Sequence, residues 1–191
     1  MDDYGEAVFI IREFEVLDNL FTPGELAKMT GLDAGLQRVW RRRGHLPEVL
    51  EGHARFTTTD VCRLALVQRL VKFGTPIKLA FDLMEPYVPV LRAHLFYGKP
   101  CYHVPWTGGM EDVFEQLYTA QRLAFIEEEC DMEVDLLAVC DDRTVERLTL
   151  AEIPHCMFEV AVFIVLRKLA DEIRAAVDRS MFSVFLREPN E

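Results

Sequence analysis

The sequence lacks the features that mark several classes of protein. Of its 191 residues only 21 are Lys or Arg, against 32 Asp or Glu, so the formal net charge is −11. No apolar run reaches the roughly 18–20 residues of a membrane span, because charged side chains interrupt each one. The first residues, Met-Asp-Asp-Tyr-Gly-Glu, carry acid where a secretory signal carries base. The sequence therefore predicts a cytoplasmic protein with no membrane partner.

Cysteine is present without a recognisable pattern. The five cysteines are an odd number at irregular spacings, which predicts reduced thiols rather than a disulfide framework. No set of Cys and His residues has the spacing of a zinc tetrad, although these five offer suitable atoms: Cys101, His103, Cys140, His155 and Cys156. Catalytic signatures such as Gly-x-Ser-x-Gly and His-Glu-x-x-His are absent. We predict no metal, no cofactor and no enzymatic activity.

The acidic total hides an uneven distribution of charge. Residues 1–18 contain one basic and six acidic side chains, and residues 96–191 contain nine basic and nineteen acidic ones. Residues 19–95 instead contain eleven basic and seven acidic side chains. A basic segment inside an acidic chain is where a polyanion would bind. These shifts predict an acidic N-terminal arm (1–18), a central domain (19–95) and an acidic C-terminal domain (96–191).

Two short capped helices are predicted in the basic segment. Thr22 and Glu25 have the spacing of a capping box, and Gly31 predicts the end of that helix. Asp33 predicts the cap of a second helix, which Gly44 ends. The second helix has an apolar face and a polar face: Leu36, Val39 and Trp40 on the first, Gln37, Arg38, Arg41 and Arg42 on the second. Two short helices joined by a tight turn predict a helix-turn-helix.

A wing and two further helices are predicted next. Residues 45–56 lack helical periodicity, and Glu51-Gly52 predicts a hairpin turn. Thr57 and Asp60 repeat the capping-box spacing and predict the start of a third helix. Thr75-Pro76 predicts the start of a fourth.

The order of these parts resembles the MerR superfamily over roughly the first half of the chain. The similar segments are Thr22-Pro-Gly-Glu-Leu-Ala-Lys-Met-Thr-Gly-Leu, Arg38-Val-Trp-Arg-Arg-Arg-Gly-His-Leu-Pro and Arg55-Phe-Thr-Thr-Thr-Asp-Val. The resemblance implies that the second helix enters the major groove of DNA and that the hairpin wing lies along the backbone. It places Arg38 and Arg42 on basic positions of the recognition helix, and Arg55 on the wing arginine.

Two features depart from typical members of that family. Val39 and Trp40 stand where those proteins carry adjacent tyrosines, which brings the chain nearer to the excisionase-like and developmental-regulator branches. The long helix through which typical members dimerise is excluded here by four residues: Pro86, Pro89, Gly98 and Pro100.

The side chains of the second helix suit recognition of DNA. Arg pairs bidentately with guanine and Gln with adenine, and each good pair is worth about 1–3 kcal/mol of discrimination. We therefore predict that Gln37, Arg38 and Arg41 lie nearest the bases. Residues better placed for phosphates are Arg42, Arg43, Lys28, His53 and Arg55. The alternative for the arginine run is a solvated helix end that the helix dipole favours.

The fold prediction is mainly α (α+β), with an N-terminal winged helix-turn-helix and a separate acidic C-terminal α+β or helical domain. Residues 94–109 are predicted to be irregular because they are rich in aromatic, Pro and Gly residues. The elements predicted beyond them are a helix over 110–129, strands over 133–140 and 144–150, a long apolar helix over 156–179 and a strand over 181–186.

These observations predict a sequence-specific, DNA-binding transcriptional regulator. The winged unit would read a short half-site of double-stranded DNA, and the chain would act as a homodimer. The acidic C-terminal domain would serve dimerisation, an effector, or a partner such as RNA polymerase. Two alternatives remain open: an excisionase-like architectural protein, and a protein-interaction module whose helix-turn-helix does not bind DNA.

Overall fold

The computed structural model describes residues 13–48, 53–97, 102–103, 136–140, 144–148 and 161–187. The helices of these ranges are α1 (Pro23–Thr30), α2 (Ala34–Arg42), α3 (Thr58–Lys72), α4 (Ile77–Met84), α5 (Val88–Tyr97) and α6 (Leu166–Ala175), with a 3₁₀ turn (Glu85–Tyr87) between α4 and α5. The strands are β1 (Glu13–Asp18), β2 (Tyr102–His103), β3 (Leu136–Cys140), β4 (Val145–Leu148), β5 (Ala161–Val165) and β6 (Phe182–Arg187).

The helices of the helix-turn-helix, and the start of α3, lie where the sequence predicts. The Glu25 N–H donates to Thr22 Oγ1 at 3.2 Å, and the Thr22 N–H donates to the Glu25 carboxylate at 2.7 Å. Thr57 and Asp60 form the same reciprocal pair at the start of α3, and the Asp33 carboxylate caps α2. The two predicted glycine stops, Gly31 and Gly44, have positive φ and fall within two residues of a helix end, and Gly74 does the same after α3. The predictions of these helix limits are confirmed.

Helix α3 is the centre of the hydrophobic core. It packs against α1, α4 and α5 and also contacts β5. Most of its side chains are buried, so it has apolar residues on nearly every side, as a core helix requires. Cys62 is fully buried on this helix, and burial raises the pKa of its thiol well above the ordinary value. The Cys62 thiol is therefore protected from ionisation in the folded protein.

Two three-stranded sheets complete the described structure. In the first, β1 runs antiparallel to β6, with Glu13 opposite Arg187 and Asp18 opposite Phe182, and β2 runs parallel to β6. In the second, β3 lies between β4 and β5 and is antiparallel to both. Part of the predicted N-terminal arm is therefore a strand that pairs with the far end of the described chain.

The hydrophobic core continues from the helix-turn-helix into the C-terminal half. Helix α6 packs against α5 and α1, and Arg174 of α6 donates to the carbonyl oxygens of His94 (2.9 Å) and Leu95 (3.1 Å). Side chains from both halves form one buried cluster, to which the C-terminal half contributes Leu137, Val139, Ile164, Leu166, Leu169, Ala170, Ile173, Met181 and Phe182. The mainly α, α+β class is confirmed, but a separate C-terminal domain is not.

Two local predictions are wrong. The apolar run predicted as one helix over 156–179 contains β5, and α6 covers only Leu166–Ala175. The Ala161–Val165 segment pairs with β3, and a short run rich in β-branched residues fits a buried strand as well as a helix. His94 to Tyr97 belong to α5 rather than to an irregular segment.

Two predicted elements lie outside the described residues: the hairpin turn at Glu51-Gly52 and the helix over 110–129. Among the helices of the described ranges, none combines the length and apolar character needed to span a bilayer.

Candidate nucleic-acid interface

Gln37 holds α2 against α1. Its side chain is buried, with the residue only 2% exposed, and its Nε2 donates to the carbonyl oxygens of Pro23 (2.9 Å) and Leu32 (2.7 Å). Because both amide hydrogens are bound inside the unit, they are not available to an adenine edge. The predicted base contact of Gln37 requires an exposed amide, whereas the structure buries this amide and bonds it to α1 and to the turn between the two helices.

Trp40 anchors α2 on α4. It is fully buried, and its ring meets the ring of Phe81 edge-on, with centroids 6.0 Å apart. The His45 ring stacks on the same Phe81 at 6.4 Å, just after the end of α2. The interpretation of Trp40 as a core residue is confirmed.

The outer side of α2 carries the positive charge. Arg38 and Arg42 are exposed and stand one turn apart, and Ala34 is exposed one turn before Arg38. Arg43, directly after the helix, is also exposed. Within the described ranges, no ion pair joins these three arginines to a carboxylate. Other arginines do bind carboxylates there, among them Arg63, Arg69, Arg92, Arg174 and Arg179. The positive charge of α2 is therefore directed toward solvent.

Arg41 has a different environment from its neighbours. It is half-buried, and its Nε donates to the carbonyl oxygen of Pro47 at 3.0 Å, on the segment that leads into the predicted wing. This contact ties the wing segment to the end of α2. Arg42, rather than Arg41, therefore lies with Arg38 on the exposed outer face of α2.

The remaining predicted contact residues are also accessible. Lys28 is exposed on α1, and His53 and Arg55 are exposed on the segment that returns to α3. Next to Arg55, Phe21 and Phe56 exchange two backbone hydrogen bonds, of 2.7 and 3.0 Å. This pairing fixes the base of the predicted wing. It therefore holds the main chain of Arg55 in place, while the Arg55 side chain is exposed to solvent.

Sequence reasoning missed two features of this surface. Ala34 belongs to the same exposed row as Arg38 and Arg42, and its spacing of four residues before Arg38 was the signal that could have found it. Arg179 lies beside α1, as described below, and nothing in the sequence indicated that this C-terminal residue would be near the helix-turn-helix.

Residues 21–85 match the family model described as MerR HTH family regulatory protein. These residues form a MerR-type helix-turn-helix region. The MerR-type region starts at Phe21, whose backbone pairs with Phe56 at the base of the wing, and ends just after α4. No curated protein matches the chain. The match supports a DNA-binding regulator in general.

No metal site is found in the part of the chain that the structure describes, where no three His, Cys, Asp or Glu residues come together. Cys101, His155 and Cys156 lie outside the described residues.

The matched family is one of regulatory proteins. The absence of enzymatic activity stays an expectation.

Proposed function

We propose that this chain is a transcriptional regulator that reads a short half-site of double-stranded DNA with α2, while the wing follows the adjacent backbone. The observation that carries the proposal is the exposed row of Ala34, Arg38 and Arg42, whose arginines bind no carboxylate in the described residues. Side chains one turn apart on a single helix face enter the same groove together.

Each member of the row has a chemistry that fits a base edge. The guanidinium groups of Arg38 and Arg42 suit guanine O6 and N7, and the methyl group of Ala34 suits a thymine methyl. The residues that would bind phosphates are Arg43, Lys28, His53 and Arg55. Gln37 and Arg41 act indirectly, because their hydrogen bonds hold α2 and the wing segment in place.

We favour DNA binding over the alternative of a protein-interaction module because of the ion pairs in the described residues. In that alternative the arginines of α2 would pair with the acidic half of the same chain. Helix α6 does bring acidic side chains into ion pairs, but with Arg69 of α3 and with its own Arg174. The α2 arginines take no part in these pairs.

A salt titration tests the proposal. Duplexes selected by the protein from random sequence should bind with an affinity that falls steeply as salt rises. The slope of log K against log salt is about −0.9 per neutralised phosphate, so three phosphate contacts, from Lys28, Arg43 and Arg55, predict a slope of about −2.7 or steeper. Fluorescence anisotropy measures this slope between about 50 and 200 mM salt, the range over which the loss of affinity is large. A protein that retains no duplex at any salt concentration would support the interaction module instead.

We further propose that the protein binds DNA as a homodimer. A single winged unit makes few base contacts, and pairing two units is the usual route to specific affinities of about 10⁻⁸–10⁻¹¹ M. A twofold dimer also predicts a palindromic site whose half-site spacing follows the protein symmetry. Analytical ultracentrifugation should show two chains per duplex. A single chain on a selected site would contradict the dimer but not the DNA binding.

A further inference from the structure

An open groove of about 660 Å³ lies between α1 and the segment that follows α6. Its lining is mostly charged and consists of Glu25, Lys28 and the run Arg174–Arg179. Two of its cations, Lys28 and Arg179, are well exposed, the latter with 44% of its side chain accessible. The third, Arg174, is largely buried by its bonds to Asp171 and to the end of α5. The groove thus brings one exposed basic side chain from each half of the chain, Lys28 and Arg179, next to two acidic ones, Glu25 and Asp178.

Arg179 is held in place by three contacts with the start of the MerR-type region. Its guanidinium lies over the Phe21 ring, 5.0 Å from the centroid, and donates to the Leu20 carbonyl oxygen at 3.2 Å. It also pairs with the Glu25 carboxylate at 3.3 Å. That carboxylate already accepts the Thr22 N–H, which is the main reason why the pKa of Glu25 lies below its ordinary value. The Glu25 charge is therefore shared between the helix cap and Arg179.

The start of α1 connects Arg179 to the recognition helix. Pro23 accepts a hydrogen bond from Gln37, the neighbour of Arg38, while Glu25, two residues later, binds Arg179. Phe21, over which Arg179 lies, pairs with Phe56 at the base of the wing. Arg179 is thus linked to α2 through the first turn of α1, and to the segment that carries Arg55 through Phe21 and Phe56.

We infer that Arg179 and Lys28 each bind a DNA backbone phosphate that flanks the half-site, so that the C-terminal half supplies part of the DNA-contact surface. This inference rests on the proposed function. In helix-turn-helix complexes the first helix crosses the DNA backbone, and Lys28 is the exposed cation of that helix. A guanidinium fixed against a ring and a carboxylate loses little freedom when it binds a phosphate, and the Arg179 side chain is still 44% exposed.

The experiment compares salt slopes for three variants of the full chain. Arg179→Met and Lys28→Met should each make the slope shallower by about 0.9, because each removes one phosphate contact. Both should weaken selected and unrelated duplexes by the same factor, because phosphates carry no sequence information. Arg69→Met is the matched control: Arg69 is also partly exposed and paired with a carboxylate, Glu172, but it does not line the groove. Its slope should equal that of the wild type.

A structural role for Arg179 alone would lower affinity without changing the slope, and that result would overturn the inference.

A measurement on the unmodified protein covers the case in which Arg179→Met does not fold. Modification of arginines by phenylglyoxal, read by mass spectrometry, should be slowed at Arg179 by duplex DNA and unchanged at Arg69. Equal modification of Arg179 with and without DNA would overturn the inference, while loss of sequence preference in Arg38→Ala would still uphold the proposed function.

Discussion

An Arg38→Ala variant is expected to lose its preference for the selected site while it still retains DNA of unrelated sequence. Arg38 is exposed on α2 and has no ion pair within the described chain, so the substitution removes no interaction that supports the fold. One bidentate contact to guanine is worth about 1–3 kcal/mol, so affinity for the selected site should fall roughly five- to 150-fold per half-site. Competition binding against unrelated duplex measures the loss.

Arg55→Ala is the control for that experiment. Arg55 is likewise exposed, but it follows the wing and is expected to bind phosphate. Its loss should weaken selected and unrelated duplexes by the same factor and leave the ratio between them unchanged. If Arg38→Ala and wild type discriminate between the two duplexes equally well, α2 does not read bases through Arg38. That result would contradict the proposed function.

An Asp18→Ala variant is expected to destabilise the protein, although Asp18 belongs to the N-terminal arm. Its carboxylate accepts the backbone N–H of Thr59 at 2.8 Å and also the Thr59 hydroxyl, at the start of α3. On the other side it binds the Arg92 guanidinium of α5 at 3.0 and 3.1 Å. The two side chains of this pair are only 15% and 20% exposed. Breaking a buried pair on one side typically costs 3–5 kcal/mol, and since this pair is partly accessible we expect roughly 3 kcal/mol.

Denaturant unfolding with far-ultraviolet circular dichroism measures this effect. Asp33→Ala is the matched control, because it removes a carboxylate that caps a helix at an exposed position and should cost only about 1 kcal/mol. The transition of Asp18→Ala should remain single, since side chains of both halves share one core. An Asp18→Ala protein as stable as Asp33→Ala would show that the link between β1, α3 and α5 adds nothing beyond a helix cap.

The features that the sequence alone determined are local ones. The capping boxes of α1 and α3, the Asp33 cap of α2 and the glycine stops were readable because each depends on atoms no more than four residues apart. Chain spacing alone brings such groups together. The exposed positions of Arg38 and Arg42 follow from the same helical spacing, once the apolar face of α2 is recognised.

Only the tertiary structure decided which polar side chains of α2 are free. Gln37 and Arg38 are neighbours with similar hydrogen-bonding capacity, yet Gln37 faces Pro23 and Leu32, and Arg38 faces solvent. The same holds for β5, which is a strand because β3 is beside it, and for Arg179, which reaches α1 across about 150 residues of chain. Contacts between segments distant in sequence depend on how whole faces pack, and the spacing of residues along the chain carries no record of that packing.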